Sequence, residues 1–168
     1  MNGINRKYIL DANIFIEAAR RYYQFDFAMP FWNFLKNQAQ QNIICSIDKV
    51  YDELKQGNDR LKDWVINDFD DYFCPTATTS IFRNYQHLVQ AIQTNSQYNQ
   101  RAKDVIMENT NADTWVLAFA MTHNYKIVTH EVIDPNVKKR VPIPNVCEEF
   151  DIPYCDTFDM LKELHFSF

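Results

Sequence analysis

The chain has 168 residues, of which 46% are apolar, including 13 Phe, 9 Tyr and 3 Trp. That length suits one domain burying about 70% of its unfolded surface in a single core, and the apolar content excludes a disordered chain. The net charge of −5 argues against a protein that coats nucleic acid through a broad basic surface, but it is compatible with carboxylates gathered to hold metal, because bound ions then supply the charge that meets phosphate.

Lys7-Tyr-Ile-Leu10 reads as a short buried strand, and residues 12–24 then carry helical spacing through Phe15, Ile16, Ala19 and Tyr23. Phe31, Phe34 and Leu35 continue into a second helix that starts at Met29-Pro30, where proline is tolerated. A second strand is expected at Asn42-Ile-Ile-Cys45, with Ser46 capping a helix built on Ile47, Val50, Tyr51 and Leu54 and stopped near Gly57. Residues 60–69 and 79–107 read as more polar helices, with the Gln/Asn-rich stretch 86–100 as an exposed excursion. Residues 112–122 are apolar almost all round, which marks a central buried helix. Tyr125-Lys-Ile-Val128 follows as a strand, a proline-broken segment occupies 134–144, and Asp156 caps a final helix through Leu164. Strands alternating with helices predict a three-layer α/β/α domain over residues 1–168, with a short, mostly parallel central sheet and ligand sites outside the carboxyl ends of its strands.

No apolar run approaches the roughly 20 residues of a membrane span. The N-terminal MNGINRKYILD lacks the hydrophobic segment of a secretion signal, so a cytoplasmic location is expected. Cys45, Cys74, Cys147 and Cys155 show no CxxC spacing and read as small free hydrophobes. His123 and His130 have no thiol pair nearby, which argues against a structural zinc site.

Four acids stand out by position. Asp11 follows the first strand directly, where it is either an N-cap or a functional group at a strand's carboxyl end. Asp113 opens the most apolar helix, where a buried charge is costly without a partner and the alternative is stabilisation by the helix dipole. Glu53 flanks the core face of its helix, with pairing to Lys49 as the ordinary explanation. Glu131 lies just past the Tyr125–Val128 strand, with Asp134 as its rival.

Tyr8-Ile-Leu-Asp-Ala-Asn13 resembles the opening strand and first acid of PIN-domain nucleases. In the same order, Val50-Tyr-Asp-Glu-Leu54 resembles the segment carrying the family's glutamate, Asn111-Ala-Asp-Thr-Trp-Val-Leu-Ala118 its central acidic motif, and Ile127-Val-Thr-His-Glu131 its more variable fourth acid. The resemblance implies that Asp11, Glu53, Asp113 and Glu131 ligate metal and carry catalysis, with Asn13 and Thr129 in support. Mg²⁺ is the implied cofactor, with Mn²⁺ as a substitute, and RNA the implied substrate. The tail from Ile143-Pro-Asn-Val-Cys-Glu-Glu-Phe150 resembles the bacterial toxin-like, VapC-like subgroup, which implies the toxin of a toxin–antitoxin pair, a homodimer and a protein antitoxin.

Two other readings remain open. A haloacid-dehalogenase-like phosphatase also places an aspartate after its first strand but carries a second acid two residues later, where this chain has Asn13. A catalytically inactive PIN-like module binding protein or RNA would use the aromatic run Tyr22, Tyr23, Phe25, Phe27, Phe31 and Trp32, which otherwise builds a helix-pair core. Arg20, Arg21, Lys138, Lys139 and Arg140 are either solvated surface or local contacts to RNA.

Overall fold

The computed structural model describes residues 6–168; the reading of residues 1–5 as part of a leaderless N-terminus lies outside them. Tyr8–Leu10 forms β1, buried at all three positions, and Ala12–Glu17 forms α1, prolonged by a π-helical turn over Ala18–Tyr22. Met29–Gln40 is α2, Ile44–Ile47 β2, Asp48–Leu54 α3 and Arg60–Asp68 α4. After a short 3-10 turn come β3 at Phe73–Cys74, α5 at Thr79–Thr94 and α6 at Gln100–Ile106. Asp113–His123 is α7, Lys126–Val128 β4, Ile143–Phe150 α8, Tyr154–Cys155 β5 and Thr157–Glu163 α9.

The five described strands make one sheet in the order β3-β2-β1-β4-β5, and every pairing is parallel. The chain works outward from β1 to β2 and β3, then returns across the sheet to β4 on the other side of β1. Right-handed crossovers therefore place the helices of the outward leg on one face and those of the return leg on the other. This gives the α/β/α layering expected from the sequence. On one face Phe15, Phe25, Trp32, Trp64 and Phe69 interlock, with Phe25 stacked on Trp32 at 4.1 Å and Trp64 against Trp32 at 4.8 Å. On the other face α7 packs against α5, α8 and the strands β2 and β4, as its apolar circumference requires. Asn124 ends α7 in the left-handed conformation, which asparagine tolerates, and turns the chain into β4 within two residues.

Three expectations need correction. Ser46 does not cap α3: it lies fully buried inside β2, and its hydroxyl donates to the Leu10 carbonyl at 2.7 Å, tying β2 to β1. The strand itself sits two residues later than the apolar run suggested. Residues 86–100 are no exposed excursion, because α5 buries Ile81, Leu88 and Ile92 against α7 and donates from Asn84 to Thr122 at 2.8 Å. Its glutamines face outward and mask that stripe in the composition. By contrast Asp156 does cap α9, accepting from the Asp159 N–H at 2.8 Å. Most of the aromatic run is core: Phe25, Phe31 and Trp32 are buried and Tyr23 stacks on Phe31 at 4.2 Å, leaving Tyr22 and Phe27 exposed. Among the described residues no helix is long and apolar enough to cross a membrane.

Candidate active site at the sheet's switch point

Strand order reverses between β1 and β4, and a parallel α/β sheet offers its crevice outside the carboxyl ends of the strands at such a point. Asp11 follows β1, and Thr129 to Glu131 follow β4 directly. The Asp11 N–H donates to the Val128 carbonyl at 3.1 Å, so the two strand ends are locked in register. Asp11 occupies the cap position of α1, yet its carboxyl makes no capping hydrogen bond. It is buried, and it accepts instead from the Thr129 hydroxyl at 3.1 Å. Thr129 in turn accepts the Glu131 N–H at 3.1 Å. One buried threonine thus fixes both acids.

Asp113 is the first residue of α7 and is half-buried. Its backbone N–H is taken by the Asn111 side chain at 2.9 Å, while no described donor reaches its carboxyl. Asp48 makes the contrast: it opens α3 in the same way, but its carboxyl accepts from the Lys49 and Thr76 N–H groups and the Thr76 hydroxyl. Asp48 is a structural acid, whereas Asp113 has no structural partner to explain it.

Charge unites the cluster. Burial first, then the charges of Asp113 and Glu131, hold the Asp11 carboxyl well above the usual carboxylate range; the Thr129 hydroxyl and the Ala12 N–H act in the opposite direction. Asp113 is pushed up to about 7 by burial, then by Glu131 and Glu53. Glu131 is raised by burial against the opposing pull of the Ile143 N–H and Arg140. Glu53 stands exposed at the rim and is raised by partial desolvation alone. It is Glu131, not Asp134, whose charge reaches the other acids; Asp134 accepts the Asn136 N–H inside its own turn.

Glu53, Asp113 and Asn13 line a cleft of about 630 Å³ together with Asn109 and Asn111. The expected Glu53–Lys49 pair is not formed, since the Lys49 ammonium lies over the Trp115 ring at 5.2 Å. Asn13 is exposed at the mouth. His130 is turned away toward the Thr157 hydroxyl and the Tyr22 and Phe158 rings. Arg21 is occupied by Glu17 at 3.2 Å. The sequence reading quoted Asn111 as the start of the acidic motif but gave it no role, although it stands two residues before a helix-opening aspartate. It overlooked Arg101, which nothing in the sequence connects to the acids.

The donor set is anionic and all-oxygen, and among the described residues no Lys, Arg or His forms an ion pair with any of the four acids. That chemistry fits a hard divalent cation. Among the described residues no three acid, histidine or cysteine side chains gather tightly enough to surround an ion by themselves. An ion of the Mg²⁺ kind takes one or two carboxylates and completes its shell with water and substrate oxygens.

The all-parallel five-stranded sheet, layered by helices, is a PIN-like α/β fold. A chain in the crystal structure of VapBC2 from Rickettsia felis bound to a DNA fragment from their promoter shares this fold with a TM-score of 0.53 and 16% identity, over 89% of this chain and 97% of that one. FitAcB from Neisseria gonorrhoeae is similar, with a TM-score of 0.50 and 16% identity over 88% of this chain and 95% of that one. No curated protein matches the chain. Residues 8–168 match the family described as Domain of unknown function (DUF4411), and the chain belongs to that family.

Proposed function

We propose that the protein is a divalent-metal-dependent ribonuclease that hydrolyses RNA phosphodiester bonds at the β1/β4 switch point. The observation that carries this reading is the convergence of Asp11, Asp113 and Glu131 at the carboxyl ends of β1 and β4, where Glu131 raises the proton affinity of Asp113 and both raise that of Asp11, with no cation paired to them among the described residues. Buried like charges without a counter-ion destabilise the fold by themselves, so the arrangement makes physical sense as a receptor for positive charge.

Asp11 and Asp113 are the central ligands in this proposal, with Glu131 and Glu53 flanking them. Mg²⁺ or Mn²⁺, when bound, would acidify a water and neutralise charge on the phosphate. Thr129 keeps the Asp11 carboxyl in place by donating to Oδ2. Glu131 commits Oε2 to the Ile143 N–H at 2.6 Å, which anchors it to the start of α8 and leaves Oε1 to orient a water. Asn13 and Asn111, at the mouth and wall of the cleft, supply neutral amide groups suited to ribose and base edges. The phosphatase alternative lacks its second acid, since the position two residues after Asp11 carries the exposed amide of Asn13.

The toxin-like tail and the fold shared with a chain of VapBC2 support a role as the toxin of a toxin–antitoxin pair, acting in the cytoplasm as a homodimer restrained by a protein antitoxin. The deciding experiment is cleavage of labelled RNA by the purified protein with and without Mg²⁺, comparing wild type with Asp11→Asn and Asp113→Asn. Metal-dependent cutting lost in both variants is the expected result. Undiminished cutting by Asp113→Asn would overturn the carboxylate assignment, and turnover of small phosphate esters without RNA cleavage would favour the phosphatase.

A further inference from the structure

On the flank of the acid cluster opposite Glu53 lies a second, smaller niche of about 140 Å³, lined by Arg101, Lys139, Arg140, Asn111, Asp113 and Glu131 among others. Its volume matches that of a handful of waters. Arg101 comes from the first turn of α6, Lys139 and Arg140 from the irregular segment that precedes α8. That segment is pinned in place: the Lys138 carbonyl accepts the Asn99 N–H at 2.8 Å, and the Val137 carbonyl accepts from the Gln97 side chain at 2.9 Å. The two sources of positive charge are thus held together by backbone hydrogen bonds, although they lie far apart in the sequence.

None of the three cations forms an ion pair among the described residues. Arg140 is close enough to Glu131 to favour its ionised form. In a chain of net charge −5, three free cations at the edge of the acid cluster form a local reversal of sign. Asp113 and Asn111 line both this niche and the larger cleft, so the two form one track that passes over the acids.

We propose that the niche of Arg101, Lys139 and Arg140 holds a backbone phosphate of the RNA strand, adjacent to the phosphodiester that the acids would cut. The proposal rests on the ribonuclease reading. The cationic end seats one phosphate by charge-assisted hydrogen bonds, the strand crosses the acid edge, and the amide-lined cleft takes the next nucleotide. A polyanion approaching carboxylates needs such an anchor to offset the repulsion.

The test is binding of a short fluorescein-labelled oligouridylate by fluorescence anisotropy in EDTA, where no cutting occurs, at several salt concentrations. The double variant Arg101→Ala/Lys139→Ala is compared with Arg83→Ala/Lys162→Ala, which changes net charge equally on exposed surface elsewhere. The first pair should lose about tenfold or more in affinity and flatten the salt dependence by about 0.7 for each cation removed; the second should change affinity by less than about twofold. Equal weakening in both pairs, or none in the first, overturns the proposal. If the wild type meanwhile cuts RNA with Mg²⁺, that failure leaves the ribonuclease reading standing. A wild type that neither binds nor cuts RNA overturns both. Tighter binding of an Asp/Glu-rich peptide than of the oligonucleotide, lost in Arg101→Ala/Lys139→Ala, would overturn the proposal and mark the niche as a protein-binding surface.

Discussion

Replacing Asp113 by asparagine keeps the shape of the side chain and removes its charge, so it separates two opposing effects at the start of α7. The carboxyl is lifted from its ordinary 3.8 to about 7 by burial and by Glu131 and Glu53. Taken at face value, that lift makes the ionised form cost the native state about 4 kcal/mol at neutral pH. Solvent reaching the half-buried carboxyl, and neighbours that share the proton, reduce this to about 1–2 kcal/mol. Acting the other way, an acid in the first turn of a helix is stabilised by the helix dipole by about 0.3–1 kcal/mol. Repulsion wins, and Asp113→Asn should raise the melting temperature of the metal-free protein by about 2–4 °C for each kcal/mol recovered. The pH dependence fixes the cause. Because the folded-state pKa is raised, the native form binds the proton more tightly, and stability falls as pH rises from about 3.8 to about 7. The advantage of the variant should therefore be absent near about pH 4 and complete by about pH 7.5 in calorimetric scans with EDTA. A melting temperature lowered at about pH 7.5 would show that Asp113 is a helix cap and refute the reasoning.

Other outcomes follow from the same geometry. Saturating Mg²⁺ should raise the melting temperature of the wild type by about 2.7 kcal/mol equivalent at 100 times the dissociation constant, and a titration by calorimetry should show this gain abolished in Asp11→Asn. Thr129→Val removes the hydroxyl that donates to Asp11 and should weaken metal binding or RNA cutting by about 10–100-fold, measured by metal-dependent kinetics. Glu131→Gln keeps an acceptor for the Ile143 N–H and should preserve stability, whereas Glu131→Ala strands that N–H at the start of α8 and should cost about 1–2 kcal/mol in urea denaturation. Ser46→Ala removes the buried link between β2 and β1 and should cost a similar amount, about 1–2 kcal/mol, by the same measurement.

Helices with an unbroken apolar rhythm were legible in the sequence, as α2 and α7 show, and so was the parallel sheet implied by their alternation with β1 and β4. The two-residue strands β3 and β5 carry too little pattern to stand out from their surroundings. Ser46 misled because a serine before a helical rhythm has the composition of a cap, and only the register of β2 against β1 reveals its use inside the sheet. Asp11 and Asp113 could be singled out because one ends a strand and the other opens a buried helix. The local sequence around Glu53 gives it no such distinction; its place on the cleft depends on how α3 is set against α7. Arg101 was invisible, since what brings it beside Lys139 and Arg140 is a pair of hydrogen bonds between the residues just before α6 and a distant irregular segment.

The hydrogen bond from Thr129 to Asp11 joins residues 118 positions apart, and it exists only because β4 lies beside β1, after β2, β3 and the helices between them in the chain. Contacts of such long range are late to form, because most of the chain must be ordered before they close. A ribosome-bound fragment ending before β4 holds Asp11, Glu53 and Asp113 but neither Thr129 nor Glu131, and although β1 can pair with β2, the Val128 carbonyl that fixes the Asp11 N–H is missing. Any chemistry at this edge therefore waits until β4 has been made and paired with β1.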